Sequence, residues 1–454
     1  MSSAFSYLNF IKFSNISRWD VKRFNLESEF ADESWVCLKK ILEPYKKTLL
    51  KQELIDNKIQ IIAKINFAGN LFLRPLTDIK DFKSTLFEIP AECLIYSKIN
   101  VKHGCTYFNK TGKTIAGTSE YPVFKIKKDL VDGEYLQKIL RTNYIKKYLS
   151  SKTTGFSKTR VQIEEFLNTK IPLPSIEKQK EIVEKYNAKV KLAEEQEQKA
   201  ETLEDEIENF LFNKLNIQIA QKQKRLDNKN LINFINYKSL SRWGVDFLKN
   251  ESESKKLLKS SSFKMVKLGN IVDIDPKNNF SALDKNLKMS FIPMHCVSDE
   301  YGEIITLESG INSNSKGYTR FQEGDLIWAK ITPCMQNGKS AILKNLQNGY
   351  GYGSTEFYVI RNNNLNVYLD YIYHILRTKF VRQNAMTHFT GSSGQQRVPK
   401  SYLQNLEIPL PDINIQKNIS EQIYNMKHGI KQLKQSAEQS RISAQEEFEK
   451  ELFE

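Results

Sequence analysis

The 454-residue chain has no run of eighteen or more apolar residues, so no segment reads as a transmembrane helix. Its start, MSSAFSYLNFIKF, lacks the continuous apolar core and small-residue cleavage site of a signal peptide. Cysteine is scarce. Cys37, Cys93, Cys105, Cys296 and Cys334 are scattered and odd in number, which argues against a disulfide framework and for a reducing cytoplasmic setting. The histidines (His103, His295, His374, His388, His428) show no metal-ligand spacing with cysteines or carboxylates, so no metal site is expected. Negative charge is in deficit: 68 Lys and Arg against 53 Asp and Glu leave +15. That surplus favours a polyanionic partner, nucleic acid or an anionic surface, without choosing between them.

Catalytic motifs are missing too. KTGKT (110–114) and NGKS (337–340) lack the glycine that a phosphate loop needs five residues before its second glycine; Tyr107 and Pro333 stand there. Tight turns are the better reading. GYG at 351–353 runs into Ser-Thr-Glu and does not complete GxGxxG, and no GxSxG elbow occurs. There is no Asn/Asp-Pro-Pro-aromatic stretch of the amino-methyltransferase kind. PDIN at 411–414 has no suitably placed acids and lysine to make a nuclease motif. The chain reads as non-catalytic.

What is present is a repeat. SRWDV begins at Ser17 and SRWGV at Ser241 (241 − 17 = 224). CLIYSKI (93–99) matches DLIWAKI (325–331), and GTSEYPVFKI (117–126) matches GSTEFYVIR (353–361). ILRT occurs at 139–142 and 375–378, Gly155 matches Gly391, and IPLP occurs at 171–174 and 408–411. Six pairs in register make the chain two copies of one unit. Each copy reads as short strands, then a helix, a loop, IPLP and a long helix. DLIWAKI and EFYVIR carry strand composition. Ile372, Ile375, Leu376 and Lys379/Phe380 stand at helical spacing, as do Leu136, Ile139, Leu140 and Tyr144. The fold class is therefore α+β.

Proline fixes φ and pushes the residue before it extended, so IPLP is a stiff joint. Ser175 and Asp412 follow it as helix N-caps. Beyond Asp412, Ile419, Ile423, Met426, Ile430, Leu433, Ala437, Ser440 and Ala444 form a heptad seam. In the first copy Val183, Tyr186, Val190 and Ala193, then Ala200, Leu203, Ile207 and Phe210, form a weaker seam interrupted near Glu197. Two half-seams in one chain can pair, and antiparallel pairing would set the globular halves at opposite ends.

The loop before the second joint, FTGSSGQQRVPKSYL, suits DNA. Gly391 and Gly394 allow close backbone approach, Ser392 and Ser393 suit phosphate oxygens, and Gln395, Gln396 and Arg397 are side chains that read adenine and guanine edges. The first copy keeps Thr154, Gly155, Ser157, Lys158 and Arg160 in TTGFSKTRV (153–161). Arg141 and Arg377 in the ILRT segments, and Lys98 and Lys330 in the matched strands, add positive charge at equivalent places.

GSSGQQRVPKSYLQNLEIPLP followed by a heptad helix resembles the specificity subunit of type I restriction–modification systems, over essentially the full length. The resemblance implies two homologous α/β target recognition domains in pseudo-two-fold arrangement, separated by two long antiparallel coiled-coil helices. It divides the chain into a first recognition domain (1–174), a first spacer helix (175–222), a linker with the second recognition domain (223–411) and a second spacer helix (412–454). Each domain would read one half of a split, asymmetric target in double-stranded DNA. The helices would set the spacer and dock two methyltransferase subunits, which carry the S-adenosylmethionine; this chain itself would hold no cofactor. A motor-nuclease subunit completes such a complex. The first copy departs from the pattern, since Gly155 to Arg160 is one residue shorter than Gly391 to Arg397 and the second glycine is missing. A methylation-only or other phage-defence complex, a stand-alone methyltransferase or nuclease with an unrecognised site, and a coiled-coil scaffold stay open as alternatives.

Overall fold

The structure, a computed structural model, describes residues 34–79, 82–153, 159–217, 259–278, 280–392 and 394–453. The SRWDV and SRWGV segments lie outside them. The chain divides into two compact units, Met1–Glu195 with Ser436–Glu454, and Gln196–Gln435.

Both units are built on the same four-stranded antiparallel sheet. In the first, the order is Leu42–Tyr45, Val123–Ile126, Cys93–Tyr96, Thr106–Phe108. In the second, it is Asp273–Ile274, Phe357–Arg361, Leu326–Ala329, Ser340–Ile342. CLIY and LIWA, matched in sequence, are the same strand in each. Their side chains are buried on both faces, so they read as continuous apolar runs.

The second sheet differs between the units. The first has Thr48–Leu49, Leu86–Ile89 and Ile115–Gly117, with a separate hairpin of Ile62–Ile65 and Leu71–Leu73. The second has four strands, Glu308–Ile311, Lys288–Ile292, Tyr350–Gly353 and Thr319–Gln322, with one parallel pair. A shared framework thus carries two unlike attachments.

Where one helix is expected after the sheet, each unit has two. Gly133–Ile139 and Asn143–Ser151 break at Thr142; Leu369–Arg377 and Lys379–Thr387 break at Thr378. The threonine leaves the helical region (ψ 152° and 141°), and its hydroxyl caps the next helix by accepting from the N–H of Ile145 or Val381. Helical spacing runs through the break, so periodicity alone cannot reveal it.

The IPLP joints are paired strands as well as stiff connectors. Lys170–Ile171 pairs with Val36–Cys37, and Glu407–Pro409 with Met265–Lys267. Each joint pairs with the first described strand of its half. The long helices follow as Ile176–Lys214 and Ile413–Phe453. Ser175 Oγ accepts from the Lys178 N–H at 3.3 Å. The Asp412 carbonyl accepts from the N–H groups of Ile415 and Gln416.

At the base of each long helix lies a fully buried glutamine. Gln179 donates to the carbonyls of Leu130 and Pro174 and accepts from the Asp132 N–H. Gln416 donates to those of Asn366 and Pro411 and accepts from the Tyr368 N–H. Tyr135 and Tyr371 donate their hydroxyls to the joint carbonyls of Pro172 and Pro409. Each helix root is therefore fixed by buried, satisfied polar groups.

Within the first unit, Lys185 Nζ is 2.8 Å from Glu451, and Lys189 pairs with Glu447, so the two helix segments run antiparallel. Within the second, Lys434 pairs with Glu204 at 2.7 Å, while Leu211 and Phe212 share a core with Ile419 and Ile423. That pairing is antiparallel too. Val183, Ala193, Ile419, Ile423 and Ile430 are buried; Tyr186, Val190, Met426 and Leu433 are partly so. At the expected interruption Gln196 and Glu197 are half-buried, between the buried Ala193 and Ala200 of the same helix. Among the described residues, no helix is long and apolar enough to cross a membrane.

Candidate nucleic-acid interface

The matched strands and the loop before each joint converge on one arrangement. In the second unit Lys330 follows its strand, its N–H donating to the Glu356 carbonyl at 2.9 Å and its carbonyl accepting from the Val398 N–H at 2.9 Å. Arg397 Nε and Nη2 bond both oxygens of Glu356, at 2.8 and 2.7 Å, and Nη1 donates to the Gln395 carbonyl at 3.1 Å. This bidentate contact holds the Glu356 carboxyl below the usual carboxylate range. Lys330 Nζ sits 4.9 Å from the centre of the Tyr358 ring.

The loop itself is a small hairpin. Thr390 and Arg397 exchange backbone hydrogen bonds at 2.9 Å, and the Gln395 N–H turns back to the Ser392 carbonyl. Gly391 has φ +107°, and an added Cβ would lie 3.1 Å from the Gln395 carbonyl oxygen. Ser392, Gly394 and Gln395 are exposed at the tip; Gln396 is half-buried, with its backbone bonded to Thr332.

The first unit repeats the pattern. The Lys98 N–H donates to the Glu120 carbonyl at 3.1 Å, the Lys98 carbonyl accepts from the Val161 N–H at 2.9 Å, and Arg160 Nε is 3.9 Å from Glu120. Glu120 also accepts from Ser97 Oγ and the Ile99 N–H. An open depression here is lined by Lys98, Arg160, Thr118, Ser119, Ser84 and Thr85. Even the support is conserved by exchange. Tyr96 donates to the Val161 carbonyl from one strand, while Tyr358 donates to the matching Val398 carbonyl from its neighbour. Thr154, Gly155, Ser157, Lys158 and Ser393 lie outside the described residues.

Arg141 and Arg377 do not join these clusters. The Arg377 guanidinium donates to the carbonyls of Gly338, Asp299 and Glu300, beneath Gly302. Arg141 is packed beneath Gly69, where an added Cβ would meet its guanidinium at 2.6 Å. Burial lowers its pKa. Both glycines have positive φ at hairpin turns. The ILRT arginines are hairpin supports, a role that needs the same charge and spacing as a phosphate contact. Glu120 and Glu356 hold matched places in GTSEYPVFKI and GSTEFYVIR; Glu356 orients Arg397, and Glu120 lies beside Arg160. The KTGKT and NGKS segments are turns, with Gly112 and Gly338 at positive φ.

Comparison with known proteins assigns part of the chain. Residues 260–439 match the family model for the type I restriction modification DNA specificity domain, a span that includes Lys330, Glu356, Arg397 and the second joint. That span, about two-fifths of the chain, is similar to this domain family. Two curated relatives from Escherichia coli resemble it. The type I restriction enzyme EcoEI specificity subunit is 37% identical over 147 residues, 32% of this chain and 24% of that protein. The EcoAI specificity subunit is 36% identical over 153 residues, 34% of this chain and 26% of that protein. The chain thus spans about a quarter of the length of these curated relatives. A solved structure described as the basis of complex assembly and conformational transition of the type I R-M system shares the fold. Its TM-score is 0.55 at 14% identity, covering 91% of this chain and 95% of that one. The specificity domain therefore sits inside a fold that extends over nearly the whole chain.

Proposed function

We propose that this chain is the non-catalytic DNA-specificity subunit of a type I restriction–modification complex, each half reading one part of a split, asymmetric target. The observation that carries this reading is the doubled Lys–Glu–Arg arrangement, one copy of which lies within the specificity domain. Arg397 has five N–H donors, and its protein contacts use three. Two remain for a guanine edge or a phosphate, with the guanidinium plane already fixed by Glu356. Lys98 and Lys330 supply salt-sensitive phosphate attraction. The shared central sheet with unlike second sheets supports two different half-sites.

The rooted, paired helices act as the spacer between the readers and as the docking surface for two methyltransferase subunits. Those subunits bring the S-adenosylmethionine, and a motor-nuclease subunit adds cleavage. The assembly works in the cytoplasm. Linking two modest readers in one chain raises their joint affinity through effective concentration. The test is an exchange of residues 26–165 for those of a related chain, followed by mapping of methylated adenines. One half of the recognised motif changes and the other half and the spacer stay. A change in both halves, or in neither, contradicts the reading.

A further inference from the structure

In the second unit three unlike donor atoms meet away from the Lys–Glu–Arg cluster. Antiparallel pairing sets Glu308 opposite Phe291. The chain then turns through Met294–Cys296 and passes back over that strand. The Val297–Ile304 bridge and an Ile305 N–H bond to the Cys296 carbonyl at 2.8 Å hold this turn. As a result His295 Nε2 lies 3.1 Å from Glu308 Oε1, and Cys296 Sγ lies 3.5 Å from the same oxygen. All three donors fall within 4.8 Å of one another.

These separations suit a metal. Zinc bonds of about 2.0–2.1 Å to nitrogen, 2.0–2.2 Å to oxygen and 2.3 Å to sulfur, at tetrahedral angles, give N···O edges of about 3.4 Å and S···O edges of about 3.6 Å. The two edges at Glu308, 3.1 and 3.5 Å, come within about 0.3 Å of those values, a gap that a side-chain adjustment closes. Adjacent His and Cys with a glutamate twelve residues on are not a ligand spacing in sequence; the strand pairing makes them one. We propose that His295, Cys296 and Glu308 bind a zinc-like divalent cation, with the fourth position open to water. Sulfur and imidazole together select zinc over magnesium or calcium. His295 is exposed and Cys296 buried, so the cation enters past the ring and meets a sulfur already held in place. On binding, the thiol gives up its proton to solvent.

The site closes the base of the hairpin at 298–303. That hairpin carries Glu300 and Glu303, which reach Lys434 and Lys431 on the second long helix, and Gly302, which rests on Arg377. A bound cation clips the turn to its strand and stiffens this contact.

The test uses the full chain, stripped with a chelator and titrated with cobalt(II). A thiolate-to-cobalt charge-transfer band appears, saturates stoichiometrically and is displaced by zinc. It is lost in Cys296→Ala. Zinc also raises the thermal midpoint of the wild type but not that of His295→Ala, whose exposed ring has no packing role, so its metal-free midpoint is unchanged. A wild type with neither band nor shift overturns the proposal. So does a band that survives in Cys296→Ala, or a zinc shift that His295→Ala and Glu308→Gln keep in full.

Discussion

The backbone N–H of Asn143 donates to Glu449 Oε1 at 2.8 Å, across 306 residues of chain. The second unit repeats this: Glu208 accepts from the N–H groups of Lys379 and Phe380, at 2.9 and 3.0 Å. In both units a carboxylate near the end of a long helix caps a short helix that its own N-cap threonine, Thr142 or Thr378, also caps. Beside it, Phe453 stacks on Tyr144 at 4.7 Å and Phe212 meets Phe380 edge-on at 6.2 Å. Glu449→Ala and Glu208→Ala each lower stability by about 0.5–2 kcal/mol. The glutamine variants, which keep an acceptor, lose less. Chemical denaturation of the full chain measures both.

Arg397 and Arg377 separate reading from support. Arg397→Ala in the assembled complex costs about 1–3 kcal/mol of discrimination at one position of the target. It leaves the thermal midpoint nearly unchanged, because the contact with Glu356 is half-exposed. Arg377→Ala frees three loop carbonyls and lowers the midpoint, while the sequence preference and the salt dependence of binding stay as they are. Competition binding with single-base variants, next to thermal melts, distinguishes the two.

The buried glutamines at the helix roots are predicted to be intolerant. Gln416→Leu leaves the carbonyls of Asn366 and Pro411 and the N–H of Tyr368 without partners, at roughly 1–3 kcal/mol for each group. Gln179→Leu does the same in the first unit. Equilibrium unfolding checks this, and a neutral result removes the glutamines from the account of how the helices are fixed.

Lys427 gives the second unit a pH dependence. Its ammonium donates to the Tyr373 hydroxyl at 3.1 Å. Burial, together with the nearby Arg377, lowers its pKa to about 7 despite Glu303 and Asp370. A lysine depressed in the folded state binds fewer protons there than in the unfolded chain between pH 7 and the ordinary lysine range. Stability therefore rises as pH climbs from about 7 towards 10. Lys427→Met flattens this rise and stabilises the unit at neutral pH. Thermal melts across pH 6.5–9.5 decide the point.

The framework was legible because it is written in backbone-level signals. The paired prolines at 171–174 and 408–411, the heptad seam and the two apolar strands each force one local structure. The mixed helix-and-strand class and the two long helices follow from them. The site was harder to read. Arginine at 141 and 377 and arginine at 160 and 397 look alike in sequence, and only packing beneath a hairpin glycine tells support from reader. Glu208 and Glu449 could have been found. Each opens an E-x-x-L-F pattern, with Leu211 and Phe212 or Leu452 and Phe453, at the ends of the long helices. The offset of this pair (449 − 208 = 241) breaks from the others, so the pair lies off the register of the repeat.

The role proposed for this chain is to tell a methyltransferase where to act. Long-read mapping of methylated adenine, in cells with and without the gene, tests it most directly. A split, asymmetric motif that disappears on deletion, with two defined halves and a fixed unread spacer, is the predicted result. An unchanged methylation pattern in cells whose methyltransferase subunit is active, or loss of a continuous palindrome, would contradict it.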